Sequence, residues 1–263
     1  MNAVRVGPVQ LVQLRERLSA RDMAILAQVA DLRLMCAKQL QRVHFPDDLH
    51  ASPSSAARCC RHALEVLVGE RLLVRLKRRI GGVRAGSGGF VYTLGPAGQR
   101  LLGLSGPRRR LREPSPLHAA HTLAISDLVV DLIVAARQGR FELITLEPEP
   151  ACWRSVPGYA RVVLRPDLFV ALGIGEYESR WFIEIDRETA NLPTLLRKCR
   201  LYETYYQSGS EQAAHGVFPR VLWLIQDERR AERLRTAVEA ARDLTAGLFL
   251  VASDPLPALE GRS

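Results

Sequence analysis

Arg180-Trp181-Phe182-Ile183-Glu184-Ile185-Asp186 is an apolar, strand-forming run that ends in two carboxylates, and its reading decides the fold of the second half of the chain. Successive side chains in a strand alternate faces, so Glu184 and Asp186 share one face while Ile183 and Ile185 take the other. A second strand-like run, Arg161 to Leu172, carries Pro166-Asp167, and Gly173 to Glu178 between the two is a hairpin signal. On paired strands Asp167 can point to the same side as Glu184 and Asp186. The predicted helix that follows, Leu192 to Tyr206, carries Lys198 and lines up Leu192, Leu195, Leu196, Cys199 and Tyr202 on one side.

Outward from this core the pattern continues. A helix is expected from Leu117 to Arg137 and a strand from Phe141 to Leu146. Beyond the Lys198 helix come an apolar strand, Arg220 to Gln226, a charged helix, Glu228 to Ala241, and a closing strand, Leu248 to Ala252. That order predicts an α/β sandwich around a mixed sheet. Carboxylates converging at a strand edge repel one another and favour a divalent cation with oxygen ligands. Asp167, Glu184, Asp186 and Lys198 are therefore the candidate catalytic set, with Asp167 and Glu184 as metal ligands and Mg²⁺ as the ion. Such an ion can activate water and stabilise a phosphoryl transition state. The chain has 34 arginines and 3 lysines, and Lys198 is the single lysine after residue 116. A plainer reading stands beside this one. Asp186 to Asn191 can cap the next helix, and Asp167 can pair with Arg165 or Arg187. His118 and His121, at i, i+3, read as a polar pair at a helix start. Asp127 and Asp131 read as solvent-facing, Glu147 and Glu149 as second-rank acidic candidates, and Trp153, Trp181 and Trp223 as core or sheet-edge aromatics.

The first half is different in charge. Residues 1–116 hold 20 Lys and Arg against 8 Asp and Glu; the remainder holds 17 against 20, so the net charge of +9 belongs to the first part. Helices are predicted over Ala20 to Leu34 and Cys36 to Val43. A third begins with Ser52 as cap and Pro53 in its first turn. Its predicted inner stripe is Ala57, Cys60, Leu64, Leu67 and Val68; its outer face offers Ser54, Ser55, Arg58, Arg61, His62 and Glu65. A strand, Leu72 to Arg78, a glycine-rich tip, and a strand, Phe90 to Leu94, then form a basic ribbon with Arg75, Lys77, Arg78, Arg79 and Arg84. A short helix, Pro96 to Leu102, follows. Three helices followed by a basic hairpin is the order of a winged helix-turn-helix. Its third helix is expected to enter the major groove of double-stranded DNA while the ribbon contacts phosphates. Protein binding is the alternative use of such a module.

Composition sets the frame. With 263 residues and 47% hydrophobic side chains, the chain can build two cores. The expected divisions are an extension, 1–19; the DNA-binding domain, 20–103; a basic linker, 104–116, with Arg108, Arg109, Arg110 and Arg112; the sheet domain, 117–253; and a tail, 254–263. Five cysteines without metal or disulfide spacing argue for a reducing compartment. No signal-peptide core is evident in the first 19 residues, and Asp127 and Asp131 interrupt the longest apolar helix. The expectation is a cytoplasmic protein that does not span a membrane.

Strands ending in carboxylates and followed by a lysine-bearing helix resemble the metal site of restriction-endonuclease-like nucleases, although Asp186 stands where those enzymes usually keep a lysine. Over residues 20 to 226 the chain resembles the replication-relaxation family of plasmids and integrative elements. The resemblance rests on Tyr92-Thr93-Leu94-Gly95-Pro96-Ala97-Gly98, on His118 to Asp127, on Pro166-Asp167, on Phe182 to Thr189, and on Lys198-Cys199-Arg200-Leu201-Tyr202. It implies a winged helix joined to a restriction-endonuclease-like PD-(D/E)xK-type domain, and a role in replication, DNA relaxation or conjugative mobilisation, with a relaxase or replication initiator as partner. Three functions stay open: a DNA-binding protein of a mobile element, a Mg²⁺-dependent nickase or endonuclease, and a transcriptional regulator with a degenerate nuclease-like domain. The oligomeric state is not legible.

Overall fold

The computed structural model describes residues 7–76, 89–104, 113–158, 161–188 and 190–261. Lys77, Arg78, Arg79 and Arg84 of the ribbon, the linker arginines Arg108 to Arg110 and Arg112, and Thr189 lie outside the described residues. The fold mixes helices with a mixed sheet and divides into two compact units, Met1–Val130 and Asp131–Ser263.

In the first unit α1 (Pro8–Arg17) is followed by α2 (Ala20–Leu32), β1 (Met35–Cys36), α3 (Ala37–His44), a 3-10 turn (Asp47–Leu49) and α4 (Pro53–Gly69). Then come β2 (Leu73–Arg75), β3 (Val91–Leu94) and α5 (Pro96–Leu101). The strands form an antiparallel sheet in the order β1-β3-β2. Ser19 starts α2 with a reciprocal cap: its hydroxyl accepts from the Asp22 amide at 3.1 Å, and the Asp22 carboxylate accepts from the Ser19 amide at 3.0 Å. Ser52 caps α4, accepting from the Ser55 amide at 3.2 Å. The buried stripe of α4 is Ala56, Cys60, Leu64 and Leu67, so Ala56 takes the inner place expected of Ala57 and Val68 is half-buried. The Gly95-Pro96-Ala97-Gly98 stretch has a steric reason. A Cβ on Gly95 would lie 2.2 Å from the Arg71 carbonyl oxygen, and one on Gly98 would lie 2.3 Å from that of Leu72, so α5 can sit this close to β2 only with glycine at both places.

Two elements of this unit lack an expected counterpart. The segment expected to be an extension holds α1, whose Leu14 is buried. The strand β1 is too short to show a period, and it takes Cys36 out of the second predicted helix to pair it with Val91.

A long helix, α6 (Pro116–Arg137), runs through the boundary between Val130 and Asp131. Its first half belongs to the first unit. Ala119 packs with Leu34, Leu76 and Val91; the Gln39 amide donates to the Leu123 carbonyl (3.0 Å) and to Asp127 (2.7 Å); and the Ser126 hydroxyl donates to the Leu34 carbonyl (2.7 Å). Asp127, expected simply to face solvent, is exposed but also tied to buried Gln39. Among the described residues α6 is the one helix long and apolar enough to cross a membrane by length and composition, and half of its apolar window is buried within the protein.

The second unit is built on a five-stranded sheet. Its strands are β4 (Glu142–Pro148), β7 (Leu168–Ile174), β8 (Tyr177–Asp186), β9 (Arg220–Ile225) and β10 (Phe249–Ala252), with β5 (Arg154–Ser155) and β6 (Val163–Leu164) as a separate two-stranded ribbon. The order is β10-β9-β8-β7-β4; β4, β7 and β8 are antiparallel, and β8, β9 and β10 parallel. The predicted strand Arg161 to Leu172 is thus two strands, interrupted at Arg165-Pro166-Asp167 where proline cannot donate to a ladder. The hairpin joining β7 and β8 closes on Gly175-Glu176, with Gly175 at a φ of +60°.

Between β8 and β9 lie α7 (Leu192–Gln207) and α8 (Ser210–His215); α9 (Glu228–Ala240) precedes β10, and α10 (Pro255–Leu259) occupies the segment expected to be a tail. Phe169, Ala171, Phe182, Val221, Trp223 and Ile225 of the sheet share a core with Leu195, Cys199, Tyr202 and Tyr205 of α7 and Ala231 and Leu234 of α9. This core places two helices over the face of β8 that carries Phe182, Glu184 and Asp186.

Candidate functional site

The strand ends of the second unit bring four predicted residues to one region, but with two destinations. Glu184 is buried, 2% exposed, beneath α7. One carboxylate oxygen accepts from the Tyr202 hydroxyl at 2.6 Å, and the other accepts from the Lys198 ammonium. Lys198 and Tyr202 are four residues apart on α7, which puts them on one helix face. Asp167 sits where Pro166 interrupts the strand. Its amide donates to the Ile183 carbonyl (3.1 Å), and its carboxylate accepts from the Ile185 amide at 2.7 Å. Asp186, two residues beyond Glu184, turns to a different partner: the Arg230 guanidinium holds both its oxygens, one at 3.0 Å, and donates as well to the Ala190 carbonyl. Arg230 lies in the first turn of α9, where the Asp227 cap accepts from its amide at 2.7 Å.

Asp167, Glu184 and Lys198 therefore form one electrostatic cluster, and Asp186 belongs to a separate ion pair. Asp186 does not cap α7; Asn191 does, accepting from the Thr194 amide at 3.0 Å. Burial pushes the Glu184 carboxyl up to about 7; neighbouring Asp167 adds to this, while Lys198 and Tyr202 oppose it. For Lys198, burial favours the neutral amine, but Glu184 and Asp167 outweigh it and hold the ammonium above its ordinary value. Burial beside Glu184 holds the Tyr202 phenol well above its usual range, so it remains a donor. Burial also pushes the neighbouring Cys152 and Cys199 thiols up to about 12, which makes them packing groups, not nucleophiles.

Among the described residues no three His, Cys, Asp or Glu side chains are grouped to hold a metal ion. Both Glu184 oxygens and both Asp186 oxygens already accept charge-assisted or hydroxyl hydrogen bonds. As arranged, these donors do not fit a divalent cation unless Lys198 is displaced. Exposed His118 and half-buried His121 lie on α6, in the other unit. Glu147 pairs with Arg154 at 3.0 Å, and the Glu149 amide donates to the Asp167 carbonyl at 3.1 Å. Trp181 and Trp223 are buried in the sheet and Trp153 is half-buried.

Residue reading missed three participants. Tyr202 falls on the predicted apolar side of its helix, and only its spacing from Lys198 points to a polar role. Arg230 is 44 residues from Asp186 and left no local signal. Arg154 bridges Glu147 and the buried Glu211, which also accepts from Tyr205 at 2.8 Å.

The first unit offers a candidate surface of the opposite kind. On α4, Ser54, Arg58, Arg61 and His62 are exposed and Ser55 is half-buried, while Ala56, Cys60, Leu64 and Leu67 anchor the helix inward. Beside this face is a shallow groove of about 410 Å³ lined by Arg21, Phe45, Arg58, Cys59 and His62. Exposed Arg75, at the base of the ribbon, stacks over the Phe90 ring at 4.3 Å.

The family model for replication-relaxation proteins matches residues 26–221. The chain belongs to the replication-relaxation family. Membership connects it to the replication or relaxation of plasmid or mobile-element DNA. The matched span covers α4, Asp167, Glu184, Asp186, Lys198 and Tyr202, and stops short of Arg230. No curated protein and no solved structure matched the chain.

Proposed function

We propose that this replication-relaxation protein binds double-stranded DNA of a plasmid or integrative element, and that its first unit is a winged helix-turn-helix. The observation that carries the reading is α4: an apolar stripe fixes the helix, and its outward face presents serine, arginine and histidine donors. The helix and strand order of the unit, with its three-stranded sheet, supports the same reading. Arg58 and Arg61 suit guanine edges in the major groove, where a guanidinium donates to O6 and N7 together. Arg75 suits a backbone phosphate, and the basic balance of residues 1–116 supplies the attraction.

The second unit is read as restriction-endonuclease-like: the end of α6, three antiparallel strands, α7, then a parallel strand. In this proposal it accompanies the DNA-binding unit in replication, relaxation or mobilisation.

The test is fluorescence anisotropy on labelled duplexes at several salt concentrations. Affinity should fall steeply with salt, and Arg75→Ala should flatten the slope by about 0.9 for the one phosphate lost. Arg61→Ala should cost about 1–3 kcal/mol on a preferred duplex and narrow its advantage over other sequences. Affinity indifferent to salt and to both changes would refute the reading.

A further inference from the structure

We propose that Lys198 is the resident cation of the second unit's carboxylate cluster, its ammonium serving Glu184 and Asp167 in place of a divalent ion. Four observations carry this. Glu184 has no oxygen left over, because Lys198 holds one and Tyr202 the other. Asp167 is fixed by the Ile185 amide next to Glu184 in the strand. Asp186, the third carboxylate that could complete an oxygen cage, is withdrawn by Arg230. The fourth observation is residue choice: the chain uses arginine 34 times and lysine 3 times, yet lysine stands here. An ammonium is a compact point charge that fits beside a buried carboxylate, whereas a guanidinium is a flat fork needing a broader partner.

Burial gives the arrangement a direction. The Glu184 side chain is 3% exposed and that of Lys198 is 31% exposed, so the lysine covers the carboxylate on its solvent side. A cation arriving from solvent must displace the ammonium. Mg²⁺ and similar ions need only one or two carboxylates and keep several waters. Asp167 and Glu184 would satisfy that demand once the ammonium is gone. Lys198 thus acts as a built-in substitute for metal, and its loss converts a closed cluster into a divalent-cation site. The proposal does not depend on DNA binding, so the two can fail separately.

The test uses the full-length chain without DNA and Mn²⁺ as probe, followed by electron paramagnetic resonance and by thermal melting. Wild-type protein is expected to bind no Mn²⁺ at this cluster, and its melting temperature should be the same in Mn²⁺ as in EDTA. Lys198→Met should melt lower in EDTA, recover in Mn²⁺, and bind the ion at least about tenfold more tightly than wild type, since a ligand selective for the native state stabilises it. Asp167→Asn added to Lys198→Met should abolish that binding. A Lys198→Met chain that folds only when Mn²⁺ is present supports the proposal equally. Wild-type Mn²⁺ binding that disappears in Asp167→Asn would overturn it, whether or not the lysine variant folds. So would Mg²⁺-dependent nicking of supercoiled plasmid by wild type that Asp167→Asn abolishes, or a folded Lys198→Met chain with no gain in Mn²⁺ affinity.

Discussion

The outer face of α4 and the strand ends beneath α7 both collect polar side chains, and they use them in opposite ways. On α4 the arginines and histidine stand in water, held only by the apolar stripe behind them. Beneath α7 and α9, Glu184 and Asp186 are buried and every oxygen has a partner from another element. An exposed charge keeps its hydration and is available to a ligand. A buried charge must be compensated inside the protein, so its partners become part of the fold. The first region leaves its charges open to solvent, and the second is closed upon itself.

The largest expected effect should fall on the buried side. Arg230→Ala leaves Asp186 buried without its counter-charge and should cost about 3–5 kcal/mol in urea unfolding, with DNA affinity unchanged. A much smaller loss would remove the distinction between the two regions.

The next test is pH. Glu184 has a folded-state value of about 7 against an ordinary 4.5, so the folded protein holds this proton more tightly than the unfolded chain. Its contribution is fully present below about 4.5 and is lost as pH rises through about 7, a change on the order of 3 kcal/mol. The urea midpoint of wild type relative to Glu184→Gln should fall across that window; parallel profiles would show that burial does not govern this carboxyl.

Tyr202→Phe comes third. It deletes one hydrogen bond to a buried carboxylate and should cost about 1–3 kcal/mol without altering far-ultraviolet circular dichroism. The smallest effect belongs to the exposed face. Arg58→Ala should shift stability by no more than about 0.5 kcal/mol while weakening duplex binding. An equal loss of stability there would mean that Arg58 is a fold residue and would blur the comparison.

Much of the fold was legible because its signals are local. Ser52-Pro53 marks a helix start, and the run to Asp186 marks a strand. The face of α4 follows from its stripe, with the one-residue displacement from Ala57 to Ala56 showing how easily a small residue misplaces the seam. Short elements left too little pattern. A two-residue strand at Met35–Cys36 has no period to read, and Pro166 split one predicted strand into β6 and β7.

Sequence alone determined the alternation that sets Glu184 and Asp186 on one face, the amphipathic α4, and the concentration of positive charge before residue 117. Tertiary structure alone decided that Lys198 and Tyr202 take Glu184 while Arg230 takes Asp186. The reason is physical: alternation and helical spacing are properties of neighbouring residues, whereas the partner of a buried charge depends on where two helices cross a sheet, and no stretch of neighbouring residues encodes that crossing.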